Sequence, residues 1–222
     1  MREGRWTTVT ESGFVHERSG LDAIREQLPD SDPWRAWSNF TFTANSGHVR
    51  EVDLLVVALG GVFLIELKNW YGSVTSENRT WVQTTREGHR RAHGNPLHLA
   101  NKKAKELAGL LRNELKQHGK RVWVGEAVCF TDDALCIRLP AHDLNGVHTI
   151  TELVEMLKRP PRDERHRITA VESREIKSAL ERVSAVLPQR LAVATVAARL
   201  ADFEGARAVL AEPARFHLVP SA

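Results

Sequence analysis

The stretch that decides the fold is Val52-Asp53-Leu54-Leu55-Val56-Val57-Ala58-Leu59-Gly60-Gly61-Val62-Phe63-Leu64-Ile65-Glu66-Leu67-Lys68. It holds two apolar runs, Val52 to Leu59 and Val62 to Lys68, each rich in Val, Leu, Ile or Phe on both faces. That is the pattern of central strands covered from two sides. The double glycine between them reads as a two-residue hairpin turn. A turn at Gly60-Gly61 sets Asp53 opposite Lys68 and Leu55 opposite Glu66. Opposed residues share a face, as do positions two apart along a strand, so Asp53, Glu66 and Lys68 all point the same way. Charges inside buried strands are too costly to keep without partners or a task.

A hard divalent cation such as Mg2+ takes oxygen ligands, usually one or two carboxylates with several waters retained, and then bridges to phosphate oxygens. Asp53 and Glu66 can supply those oxygens and are the expected metal ligands, for Mg2+ or for Mn2+ in its place. The carbonyl of Leu67 could add another. A lysine two residues beyond a ligand can orient or deprotonate an attacking water and can offset charge developing on a phosphate. The competing reading of the same three residues is a strand-end salt bridge.

The order acidic residue, hairpin, E-x-K resembles the PD-(D/E)xK nuclease superfamily. More narrowly, the stretch from His16 to Leu115 resembles the NERD domain, the nuclease-related domain of that superfamily. The matching pieces are a helix carrying Glu17, then Val49-Arg50-Glu51-Val52-Asp53, then Gly61 to Asn69, then Gly72, Trp81, and Asn95-Pro96 leading into a long helix. Where such domains often carry a glutamine shortly after Asn-Pro, this chain has Leu99. The wording Asn95-Pro96-Leu97-His98-Leu99-Ala100 followed by Lys102-Lys103-Ala104-Lys105 resembles the NERD segment at the front of large serine/threonine kinases of bacterial phage-defence systems. The resemblance implies a restriction-endonuclease-like α/β fold with a mixed central sheet flanked by helices, and a Mg2+-dependent hydrolase cutting phosphodiester bonds in DNA. Lys68, Glu66, Asp53 and Glu17 are its implied catalytic set. It also implies a kinase domain downstream, and many enzymes of the superfamily act as homodimers. The alternative is a catalytically silent module of the same fold that binds nucleic acid or regulates the attached kinase.

Glu17 lies in a span, Glu11 to Leu28, that reads as an amphipathic helix with Phe14, Leu21, Ile24 and Leu28 on one face and Pro29 as its stop. In the superfamily a glutamate of the first helix often joins the metal site, and Glu17 is the matching position. The competing reading is a solvated helix carboxylate.

Past the hairpin, Trp70 to Val74 and Thr80 to Thr84 read as a short strand pair turning at Glu77-Asn78. Arg86 to Gly94 reads as a polar loop whose Arg86, Arg90 and Arg91 could meet phosphates. The helix after Pro96 is expected to run to about Gln117, with Gly119 at its cap, Leu99, Leu107, Leu110 and Leu111 apolar, and Lys102, Lys103, Lys105, Arg112 and Lys116 outward. Lys102 is the further candidate for nucleic-acid contact, although charge runs on helices are usually solvated faces. Val122 to Phe130 reads as a buried strand and Thr151 to Leu157 as a short helix. Trp70, directly after the lysine strand, is a candidate substrate contact.

The 222 residues suffice for one domain of about 150 residues plus an appendage. Residues 1–158 are expected to form the nuclease-like domain, 159–170, with Pro160-Pro161, a linker. Residues 171–222 are expected to form a C-terminal helical extension, Val171 to Val186 and Leu191 to Leu210, leading to a further domain. Hydrophobic content of 42% and charged content of 27% are ordinary for a globular protein. A net charge of +3 and a pI near 9.1 mildly favour polyanionic partners. No apolar run approaches the ~20 residues that span a bilayer, and no signal-peptide core opens the chain, so no membrane partner is expected. Cys129 and Cys136 lack metal-finger spacing and read as reduced and buried, which points to the cytoplasm. The histidines do not fall into H-E-x-x-H, and neither a P-loop nor the kinase set of motifs occurs, which excludes those chemistries from this stretch.

Overall fold

The computed structural model describes residues 1–115, 122–161 and 163–184. Its centre is a six-stranded mixed sheet in the order β1-β2-β3-β4-β8-β10, built from Trp6–Thr8, Arg35–Thr43, Val49–Ala58, Gly61–Lys68, Val124–Phe130 and Val147–Thr149. Strands β2, β3 and β4 are antiparallel neighbours, whereas β4 pairs in parallel with β8. The continuous apolar runs of the sequence are explained by cover on both faces. Leu21 and Ile24 of α1 (Val15–Gln27) and Leu153, Val154 and Leu157 of α4 (Ile150–Lys158) cover one face, packing with Leu54, Val56, Ile65 and Leu67. The other face carries α2 (Pro96–Glu114) and α5 (Ala170–Ser184), whose Ala100, Ala104, Leu107, Ile176 and Leu180 pack with Val52, Leu55 and Leu64.

A second sheet, β7-β6-β5-β9, comprises Arg90–His93, Thr80–Thr84, Ser73–Glu77 and Cys136–Arg138. It joins the main sheet through Trp81, Val74, Val128 and Phe130. The turn of its first hairpin is Asn78-Arg79, one residue later than expected. Both residues have positive φ, 50° and 63°, the twist a two-residue hairpin favours. Gly72 is required where the chain enters β5 beside β6, because its φ is +86° and a Cβ there would run into the carbonyl oxygen of Thr84.

Asn95 begins α2 as expected: its side chain accepts from the backbone N–H groups of Leu97 at 2.9 Å and His98 at 3.1 Å, with proline at the first helical position. Its Nδ2 donates to Asp143 Oδ1, and Trp81 Nε1 donates to Asp143 Oδ2 at 3.1 Å. Trp81 and Asn95 thus converge on a buried carboxylate in the short helix α3 (Ala141–Leu144) and hold the second sheet to the start of α2.

Several expectations are corrected. β2 has no counterpart in the sequence reading. Arg90 to His93 is not loop but an edge strand, and an exposed edge of two arginines, Ala92 and a histidine carries no hydrophobic alternation to betray it. Phe14 lies ahead of α1 in extended conformation and is 46% exposed. Cys136 is exposed, although Cys129 is buried and neither is bridged. The segment 159–170 does not run free as a linker. The Ile168 N–H donates to the carbonyl of Leu59 at 3.0 Å, Ile168 is buried, and Arg159 and Pro161 lie against Gly60. With Ser173 Oγ donating to the carbonyl of Pro33, α5 is a layer of the sheet domain rather than part of a separate extension. Lys116, Gln117, Gly119 and the expected helix from Leu191 to Leu210 fall outside the described residues.

Candidate active site

The hairpin joining β3 and β4 turns at Leu59-Gly60, since Ala58 pairs with Gly61 and Leu54 with Ile65. The turn is one residue earlier than expected, so each pairing shifts by two: Leu55 faces Leu64 rather than Glu66, and the register brings Asp53 level with Glu66 rather than with Lys68. A shift of two preserves the face, which is why the charged set survives the error.

The backbone ladder ends at Leu54 and Ile65, and side-chain chemistry takes over beyond it. Asp53 Oδ2 accepts the backbone N–H of Leu67 at 2.8 Å. Alternation along β3 slips here, because Val52 and Leu55 both pack beneath α2 while Leu54 packs beneath α1. The slip lies beside Asn39, whose φ is +53° and which is the one position of β2 left unpaired in an otherwise continuous β2–β3 register. A local kink of this kind re-aims a side chain.

Lys68 Nζ stands 3.3 Å from Glu66 Oε2 and 3.9 Å from Asp53 Oδ2, so one ammonium touches both carboxylates. Glu66 is 3% exposed, and its other oxygen, Oε1, receives Lys103 Nζ from α2 in a close ion pair. Lys103 does not point outward as the sequence suggests. It is 7% exposed, on the stripe Ala100, Lys103, Ala104, Leu107 that faces the sheet. Its only signal in the sequence is a lysine at a core position of an otherwise apolar helical face. Burial, and next the charge of Glu66, push the Asp53 carboxyl up to about 7 against the opposing pull of Lys68, the Leu67 N–H and Lys103.

Glu17 sits in the first turn of α1 and lines a cavity of about 160 Å³ with Phe14, His16, Leu67, Asn69 and Thr131. Leu67 and Asn69 alternate with Glu66 and Lys68 along the strand, so Glu17 approaches from the α1 side and the two carboxylates from the α2 side. Among the described residues no three His, Cys, Asp or Glu side chains group as a metal cage. The donor set is instead two hard carboxylates without a third protein ligand among those residues, which suits Mg2+ or Mn2+ and not a protein-caged Zn2+.

Trp70 stacks on His93 of β7, ring centroids 4.2 Å apart and planes at 26°. Burial lowers the His93 pKa, followed by the charges of Arg91 and Lys68, so β7 passes close to the site. Arg86, Arg90, Arg91 and Lys102 are exposed. Arg90 is in a close ion pair with Glu77.

Asp53, Glu66 and Lys68 sit together at one end of a mixed sheet inside a chain whose residues 12–131 match the family described as NERD, nuclease-related domain. The chain belongs to the NERD family. It is also 70% identical over 183 residues to "Probable kinase PglW" of Streptomyces coelicolor (strain ATCC BAA-471 / A3(2) / M145). The match covers 82% of this chain but 12% of that protein. No solved structure matches. Within this NERD domain, no helix among the described residues is long and apolar enough to cross a membrane.

Proposed function

We propose that this domain is a Mg2+- or Mn2+-dependent endonuclease acting on DNA, with Asp53 and Glu66 as the metal ligands and Lys68 as the catalytic lysine. The observation that carries the reading is the single ammonium of Lys68 lying 3.3 Å and 3.9 Å from the two carboxylates, at the end of β4 and inside the stretch that matches the NERD family. A bound divalent cation would supply Lewis-acid stabilisation of a phosphodiester and an acidified water. Lys68, partly exposed, is the group that reaches a substrate phosphate and offsets charge developing there. Asp53 is held in place by the Leu67 N–H, and Glu66 by Lys103. Arg86, Arg91 and Lys102 supply exposed positive charge for the phosphate backbone, and Arg90 contributes after exchanging Glu77 for a phosphate. Glu17 is a supporting carboxylate that would reach the centre from the α1 side.

The likeness to a protein named as a kinase supports a role as one part of a longer kinase. Phage defence, which the wording of the segment from Asn95 to Lys105 implies by resemblance, and a cytoplasmic location, in keeping with two unbridged cysteines, complete the proposal. A second reading, a catalytically silent module that binds nucleic acid or regulates an attached kinase, is favoured by the ion-pair network around Glu66, which satisfies the buried charges without a metal. Plasmid cleavage with Mg2+ or Mn2+ against an EDTA control separates the two. Metal-dependent nicking or linearisation supports the nuclease. Absence of cleavage with either metal on double-stranded, single-stranded or branched DNA and on RNA leaves the binding or regulatory module.

A further inference from the structure

Two lysines share one buried glutamate, and they differ in how tightly they are held. The side chain of Lys68 is 28% exposed and stands 3.3 Å from Glu66 Oε2. That of Lys103 is 9% exposed and lies in close contact with Oε1. The helix that delivers Lys103 is fixed independently of this pair. Arg50 of β3 grips Glu106 with two bonds of 2.7 Å and 3.0 Å, Asn101 Nδ2 donates to Glu126 Oε1 at 2.8 Å, and Asn95 caps its start. The neighbours of Lys103 on the buried face, Ala100 and Ala104, are short and fully enclosed. A cation arriving from the Asp53 side can displace the half-solvated ammonium of Lys68, whereas one arriving at Oε1 meets a buried ammonium on a rigid helix.

We propose that Lys103 is a positioning residue that makes this centre a single-cation site, holding Oε1 of Glu66 and leaving Oε2, on the side of Lys68 and Asp53, as the one glutamate oxygen open to a divalent ion. The inference rests on the nuclease reading above and adds how many ions the site takes and which residue sets that number. One divalent ion with two ammoniums against two carboxylates leaves two surplus positive charges. That surplus suits the single negative charge of a phosphodiester and the further charge that builds in its transition state. Lys103 therefore opposes cation binding while favouring the chemical step, a combination that a purely scaffolding lysine does not produce.

The test is calorimetric titration of the full 222-residue chain with Mn2+, paired with single-turnover DNA cleavage across Mn2+ concentrations. Wild type is expected to bind one Mn2+ per chain, and its rate to rise hyperbolically with Mn2+. Lys103→Met, with its melting curve as a check on folding and Lys103→Gln as the substitute if Met does not fold, should bind Mn2+ at least tenfold more tightly. It should nevertheless cleave at least tenfold more slowly at saturating Mn2+, with KM for DNA unchanged, and Lys103→Arg should recover part of the rate. Two ions per wild-type chain would overturn the proposal. So would a folded Lys103→Met protein that loses Mn2+ affinity and rate in parallel, or keeps both. If wild type itself neither binds Mn2+ nor cleaves, the nuclease reading fails and takes this inference with it, a result distinguishable because it appears before any substitution is made.

Discussion

The sharpest energetic consequence of the site lies in Asp53, which the fold holds largely out of water next to a second carboxylate. Its pKa is raised from 3.8 to about 7. A group bound more tightly to its proton in the folded state stabilises the fold fully below the unfolded pKa and loses that contribution as pH rises through the folded value. The metal-free protein should therefore lose stability between about pH 4 and pH 7. At about 1.4 kcal/mol per unit, a shift of about three units sets a ceiling of about 4 kcal/mol. Asp53→Asn keeps an acceptor for the Leu67 N–H and removes the titration. In urea denaturation with EDTA the variant should match wild type near pH 4, and at pH 8 it should exceed it by a few kcal/mol at most. A stability difference that stays constant from pH 4 to pH 8 would refute the assignment of the pH dependence to Asp53. Adding Mn2+ at pH 8 should reverse the order, stabilising wild type and not the variant, because the ion binds the ionised carboxylate and Asn offers no anionic oxygen.

Three further outcomes follow from the same geometry. Lys68→Ala should abolish DNA cleavage while leaving DNA affinity within a few-fold in a filter-binding assay, since its interaction strengthens as charge develops in the transition state. Arg91→Glu should weaken DNA binding and lower the slope of log affinity against log salt by about one for each phosphate no longer neutralised; Arg90→Glu should also weaken it, by setting a second carboxylate against Glu77. Ile176→Ala, in the buried face of α5, should cost about 2–5 kcal/mol in chemical denaturation of the whole domain, where a separately folded extension would leave that transition unmoved.

The sequence by itself determined the local pattern of the site and much of the frame around it. Two doubly covered strands, their hairpin, the start of α2 at Asn95-Pro96 and the shared face of Glu66 and Lys68 all follow from short-range rules. Pleating puts residues two apart on one face whatever the fold does, and the side chain of an asparagine ahead of proline caps the backbone N–H groups of the helix turn that directly follows it. Even the displaced turn did no harm, because it moved the register by two rather than by one. Tertiary structure alone decided what meets that face. Periodicity states which residues of α2 lie together, but not that the stripe containing Lys103 lies on Glu66, since a lysine among alanines and leucines reads equally as the rim of a solvated face. It likewise could not set Glu17 on the α1 side of β4, gather Trp81 and Asn95 on Asp143, pair the polar strand Arg90–His93, or fold α5 back onto the sheet. Each of those depends on contacts between residues far apart in the chain, and the burial of a charge, which sets both the Asp53 pKa and the grip of Lys103, exists only once those contacts have excluded water.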